Sequence, residues 1–396
     1  MTFNRRVYAR ALAVVAAGAL LVAGSPAAGA HSSKDGTSPS IRVVATGLDA
    51  PRGLTFGPNG VLYVAEAGRG GAGPCEVGPE GDEVCFGKSG AVTAVWKGKQ
   101  RRIVDNLPST SDEVGFAVTG PHDVAWSKFG LVVPVGLGGD LETRASFGRG
   151  AKALGTVVRI DHKRGKKNRH RADWRIIADL AKFEQRVFPQ QGQPGVEGPD
   201  SNPFSAVATG RKVVVSDAGG NSVVKFTQHR KKKSKVSLLS LLPFQFVEAP
   251  PFLGLPPGAT IPMNPVPTGL VRHKGSYYVG QLTGFPFPVG GAAVYKLRKG
   301  KQPQVYASGF TNIIDIAFDR KGRLLVLEIA TNGLLSEDPA GALWRVDRHG
   351  KKKLIADGDD GLFAPTGLTV GPDGAYYVSN KGVLNPGAGE VLRIRP

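Results

Sequence analysis

Five oxygen-bearing side chains hold the same place in successive copies of one repeated phrase: Glu66, Asp217, Gln281, Glu328 and Asn380. Each follows a turn glycine by six residues, or by seven for Asp217, and the remaining copy has Gly136 there. None is a lysine or arginine. Carboxylate and carboxamide oxygens gathered from several elements suit a hard cation, usually Ca²⁺, which takes six to eight of them. A neighbouring column contributes Asp123 and Asp315. The candidate metal ligands are therefore Glu66, Asp123, Asp217, Asp315, Glu328 and Asn380, and the candidate ligand-binding residues are the five that open this paragraph. The competing explanation is that strand ends before loops favour Asp, Asn and Glu for turn and cap reasons. Oxygens within about 5 Å of one point would decide for the cation.

His122 is the only histidine in either column. Beside Asp123 it has the makings of a general base oriented by a carboxylate, although a lone histidine is more often structural. No Gly-x-Ser-x-Gly elbow occurs, which leaves serine nucleophile chemistry without support. The glycine-rich stretches 68–73 and 136–139 open no helix, so they read as loops and not as phosphate cradles.

The elements that must position these residues come from the repeat itself. Pro51-Arg-Gly-Leu-Thr-Phe-Gly-Pro-Asn-Gly near the start returns as Pro365-Thr-Gly-Leu-Thr-Val-Gly-Pro-Asp-Gly near the end. Degenerate copies begin at Pro121, Pro203, Pro267 and Ile313. Each copy holds four apolar, β-branched segments, in the first 53–56, 61–65, 91–96 and 102–105. Asn59-Gly60 and Asp373-Gly374 are hairpin signals. The clearest exception to the strand pattern is 174–188, which leaves room for a short helix. Four antiparallel strands repeated six times predict an all-β, six-bladed β-propeller. The last copy lacks a fourth strand, while 41–47 is a strand without a blade. Pairing the two would complete the last blade, close the ring and hide both edges.

Three arginines, a short apolar run and Ala28-Gly29-Ala30 make residues 1–30 an export signal; Arg5-Arg6 leaves Sec and twin-arginine routes open. Residues 31–40 read as a disordered linker and 41–396 as the propeller. There is no second apolar run to serve as a transmembrane segment. Cys75 and Cys85, the only cysteines, lie in one loop and in an exported chain are expected to form a disulfide. The 55 glycines in 396 residues are about twice the average usage of roughly 7% and fit many tight turns.

The chain has 51 basic and 32 acidic residues. Five stretches expected between third and fourth strands, 97–102, 163–171, 230–235, 298–301 and 348–353, contain no acid. The opposite end collects Glu76, Glu80, Asp82, Glu83, Asp112, Glu113, Glu337, Asp338, Asp359 and Asp360. This predicts a basic face that docks to anionic cell-envelope polymers and an acidic face that takes a small ligand or peptide. Aromatics do not alternate with the lysines, so sequence-specific nucleic-acid binding is not expected.

The phrases Gly47-Leu-Asp-Ala-Pro-Arg-Gly-Leu54, Val215-Ser-Asp-Ala-Gly-Gly-Asn-Ser222 and Pro365-Thr-Gly-Leu368 resemble the ScyD/ScyE family of secreted, NHL-like propellers. The resemblance spans about 41–396 and implies the fold and export, but no catalytic residues. Lactonases of the gluconolactonase type, more distant by architecture, use acidic and amide side chains around a central divalent metal. Two functions follow as expectations. The first is a secreted binding or scaffold propeller. The second is a Ca²⁺-dependent lactonase or esterase, with the cation polarising a carbonyl and His122 moving the proton. A quinone- or sugar-dependent oxidoreductase ranks third.

Overall fold

A computed structural model describes residues 39–78, 81–161, 173–230, 232–298, 300–383 and 386–396. Residues 1–30, expected to be an export signal, most of the expected linker 31–40, the basic stretch 163–171 and Glu80 lie outside the described residues. Six antiparallel sheets form the chain into a six-bladed β-propeller, as the repeat predicts. The inner strands are Pro51–Phe56, Ala125–Ser127, Pro203–Thr209, Pro267–His273, Ile313–Phe318 and Gly367–Val370. Each adjoins the next, and the last meets the first. In the sixth blade the outer strand is Ser40–Leu48, antiparallel to Gly389–Arg395 with Ser40 opposite Arg395 and Ile41 opposite Ile394.

Second strands such as Leu62–Glu66, Gly130–Val135 and Leu324–Glu328 are buried along their whole length. Neighbouring sheets cover both faces of these strands, so their sequences run apolar without alternation. The core consequently lies between blades, as where Val133, Val158 and Leu154 pack with Ala65 and Val92.

Side chains at the heads of inner strands and near the ends of second strands stitch blade to blade. Thr268 Oγ1 donates to the Ile313 carbonyl at 2.6 Å, and Thr366 Oγ1 donates to Pro51 at 2.6 Å. Ser379 Oγ donates to the Arg52 carbonyl at 2.6 Å.

Two departures from the sequence reading have local causes. Most of the first half of 174–188 is the strand Asp173–Asp179, paired with Thr156–Asp161, and only Leu180–Val187 is helical. Asp179 marks the switch: its Oδ1 accepts the Lys182 N–H at 3.1 Å and caps the helix. A second short helix, Leu141–Ser146, is capped in the same way by Asp140 and is too brief to show a period.

Candidate functional site

The first column has Asp123 and Asp315 at the heads of inner strands, and the second has Glu66, Asp217, Gln281, Glu328 and Asn380 at the ends of second strands. Both lie at the end of the propeller that carries the loops between second and third strands and between successive blades. The second column is buried throughout: Glu66, Gln281 and Asn380 have no exposed surface. Its side chains turn into the blade walls. Glu66 accepts the Asp49 N–H at 2.8 Å, Glu328 the Thr311 N–H at 2.7 Å and Asn380 the Phe363 N–H at 2.9 Å. Asp217 accepts the Asn202 N–H at 2.6 Å and the Ser201 hydroxyl at 2.7 Å. Each acceptor thus holds the loop that precedes its own blade. Gln281 differs, since neither end of its amide has a protein partner.

These oxygens face four separate loops. Among the described residues the only three His, Cys, Asp or Glu side chains with ligand atoms mutually within 4.8 Å are Cys75, Glu83 and Cys85. There the sulfurs are bonded to each other at 2.01 Å, forming the expected Cys75–Cys85 disulfide. It joins the strands Cys75–Val77 and Glu83–Trp96, with the two cysteines opposite one another.

Glu66 is also tied to cations. Arg102 Nη2 lies 2.6 Å from Glu66 Oε2 and 2.8 Å from Asp49 Oδ2, and Arg69 reaches the same Asp49 oxygen at 2.7 Å. The hydrogen bond to Glu66 holds the Arg102 guanidinium charged more firmly than usual. Burial raises the carboxyls of Asp217 and Glu328 above the ordinary range despite their hydrogen bonds.

The first column forms a ring around the axis: Gly53, Asp123, Ser205, Gly269, Asp315 and Gly367. Asp123 Oδ1 accepts the Val124 N–H at 2.7 Å, and Oδ2 accepts the Ala206 N–H of the next blade at 2.9 Å. Asp315 repeats this with Ile316 at 2.8 Å and Leu368 at 2.7 Å. Ser205 takes the corresponding place in the third blade, donating to Asp123 at 2.8 Å and accepting from Leu270 at 3.3 Å. The glycines make room: a Cβ at Gly53 would stand 2.0 Å from Asp123 Oδ1, and one at Gly269 would stand 2.5 Å from Asp315 Oδ1.

Protein surrounds both carboxylates, yet each residue keeps part of its surface accessible. Burial raises the Asp123 carboxyl. It raises that of Asp315 well above the usual range, with the Asp123 charge adding to the effect.

His122 is buried, and its Nδ1 lies 3.1 Å from the Pro203 carbonyl oxygen. Burial and the Arg52 charge lower its pKa to about 3, so the ring is neutral at pH 7. Its position explains the gap in the second column, because a Cβ at Gly136 would stand 2.3 Å from His122 Cε1.

Arg52 directly precedes the ring residue Gly53, as His122 precedes Asp123. It is buried, has no carboxylate partner among the described residues, and donates to the carbonyls of Gly382 and Val118, the latter at 3.2 Å. Burial lowers its pKa to about 10. Its type was the available signal, as the only cation in either column.

No known family profile matches the chain, nor does any curated protein sequence. Solved structures do match its fold. A glucose dehydrogenase superposes with a TM-score of 0.53 at 13% identity, covering 90% of this chain and 100% of that one. The soluble aldose sugar dehydrogenase of Escherichia coli gives 0.52 at 14%, covering 91% and 100%. The PQQ-bound aldose sugar dehydrogenase of Streptomyces coelicolor gives 0.51 at 12%, covering 90% and 98%. At such identities the likeness is one of fold, and these neighbours on the fold are enzymes. No helix among the described residues is long and apolar enough to cross a membrane.

Proposed function

We propose that this chain is a secreted ligand-binding propeller that takes a basic, partly apolar peptide segment on its loop-bearing end. One observation carries binding ahead of metal-dependent hydrolysis: the oxygens of Glu66, Asp217, Glu328 and Asn380 accept loop N–H groups inside the blade walls. A carboxylate committed in this way would have to release a structural loop to reach a central cation. His122 is equally committed, neutral and enclosed.

The loops of that end supply the ligand chemistry. Five of its segments, 111–118, 242–266, 282–291, 329–341 and 358–366, contain no lysine or arginine, while Arg69, Arg144, Lys182 and Lys381 lie on others. The five carry exposed Glu113 and Glu337, and exposed Phe116, Phe246, Phe252 and Leu335. Large exposed apolar side chains rimmed by charge mark interaction sites on soluble proteins. The disulfide in this end and the resemblance to the ScyD/ScyE family support work outside the cytoplasm.

The fold neighbours make a redox enzyme the alternative, and one of them is described as PQQ-bound. Arg52, the one cation beside the axial ring, is already committed to the backbone carbonyls of Gly382 and Val118, which leaves it unavailable to an anionic quinone cofactor.

Calorimetry of the full chain against Ca²⁺, and then against a synthetic lysine–leucine peptide, tests the reading. A flat Ca²⁺ titration and salt-sensitive peptide binding are expected, the latter weakened by Glu337→Gln with Phe252→Ser. Stoichiometric Ca²⁺ binding together with chelator-sensitive lactone hydrolysis would replace this reading with the hydrolase.

A further inference from the structure

Between the second and third blades, away from the axis, the helix Leu180–Val187 faces the connection that leads into the outer strand Ser237–Leu241. A cleft of about 330 Å³ lies between them. Lys182 and Arg186, one helical turn apart, form one wall, and Lys233 and Lys235 form the other. All four are exposed. Among the described residues none of them makes an ion pair.

The cleft is built and not merely a loop of solvated lysines. The connection alternates: Lys233 and Lys235 face outward while Ser234 and Val236 are buried. The Ser234 N–H donates to the Ile177 carbonyl at 2.7 Å, which pins the lysine wall to the outer strand of the second blade. Val236 packs with Phe183 and Ile177 in the inter-blade core. The single acid of the lining, Asp179, is neutralised within the protein, pairing with Arg144 at 3.0 Å while capping the helix. The Ser234 hydroxyl, nine-tenths buried in the lining, has no hydrogen-bond partner.

We propose that this cleft is a binding site for phosphodiester groups of a polyol-phosphate polymer. Four uncompensated cations on two facing walls call for more than one anionic charge. The tetrahedral oxygens of a phosphodiester can be reached from both walls at once, whereas the two coplanar oxygens of a carboxylate face one wall. Arg186 supplies a planar fork suited to phosphate, and the three lysines supply mobile point charges. Phe183, the only aromatic ring in the lining, is buried in the core. Nucleobases therefore have no platform to stack on. The cleft lies on the outer side of the blades, and its lining shares no residue with either column.

The test is calorimetric titration of the full chain with purified poly(glycerol phosphate). Three proteins are compared: the unaltered chain, Lys233→Gln with Lys235→Gln, and Lys99→Gln with Arg101→Gln as an equal charge loss in another basic turn. Thermal unfolding verifies that each is folded. Affinity should fall about tenfold or more in the cleft variant, less than about twofold in the control, and decline with added salt. Equal losses in both variants would reduce the effect to general charge and overturn the site. So would equal affinity for poly-glutamate, or binding to phosphatidylglycerol vesicles without binding to the polymer. Absence of polymer binding at low salt would also overturn it.

Discussion

Asp315 Oδ2 accepts the Leu368 N–H at 2.7 Å across the junction of the fifth and sixth blades. Asp123 makes the equivalent bond to Ala206 between the second and third. Two carboxylates therefore tie neighbouring blades around an axis that three glycines keep open. Their second oxygens hold the N–H of the residue that follows each in sequence. Asp123 and Asp315, two of the six candidate metal ligands, thus act as inter-blade fasteners.

Asp315→Ala removes the acceptor for two backbone N–H groups, Ile316 and Leu368. An orphaned buried donor costs about 1–3 kcal/mol, so the variant should lose roughly 2–4 kcal/mol in urea unfolding at pH 7. The pH profile separates this role from ligand binding. The folded carboxyl titrates above its unfolded value, so its contribution is greatest below about pH 4 and is lost as pH rises through the folded pKa. The deficit of the alanine variant should consequently shrink between pH 4 and pH 7. A deficit that grows over that interval would contradict the assignment.

His122 has the opposite sign. Its pKa falls from about 6.5 unfolded to about 3 folded, so its neutral form contributes stability above pH 6.5 that drains away towards pH 3. His122→Asn keeps a donor for the Pro203 carbonyl without a group that can be protonated. The variant should therefore flatten the loss of stability between pH 6 and pH 4, measured by chemical unfolding. Identical pH slopes would mean that the ring is open to solvent.

Gly136 tests the packing beneath the second column. A Cβ there would stand 2.3 Å from His122 Cε1 and 2.5 Å from Asn202 Oδ1. Gly136→Ala should destabilise by about 1–3 kcal/mol, the usual range for overpacking. His122→Gly in the same chain should recover part of that loss, because the blocking ring is gone. Strictly additive effects would argue against the contact.

The propeller was legible because its period is written in the sequence six times, and the disulfide because the chain has only two cysteines. The site was legible in position but not in direction. Spacing alone places Glu66 and Glu328 at strand ends, yet successive side chains on a strand point to opposite faces. Which face a residue takes there depends on inter-blade loops many residues away, here those of Asp49 and Thr311. Gly136 leaves a gap in the oxygen column; its cause is the His122 ring, which comes from the connection leading into the inner strand Ala125–Ser127. The basic cleft was legible only in part. The run 230–235 was visible, but its partner wall, Lys182 and Arg186, appears only once the helix is folded against it.

Glu184 is the side chain whose behaviour the sequence hid most completely. It is buried on the inner side of the helix that carries Lys182 and Arg186. Its Oε1 accepts from Gln190 Nε2 at 3.2 Å. Burial, reinforced by the charges of Asp217 and Asp200, pushes its pKa up to about 8. The folded value lies above the unfolded one, so Glu184 favours the fold below about pH 4.5 and opposes it increasingly as pH rises through 8. Glu184→Gln keeps the shape and removes the charge. Relative to the unaltered chain, the variant should gain on the order of a few kcal/mol between pH 5 and pH 9, read from urea midpoints across that range. A constant offset between the two proteins across this range would mean that the folded Glu184 carboxyl titrates no higher than the unfolded one.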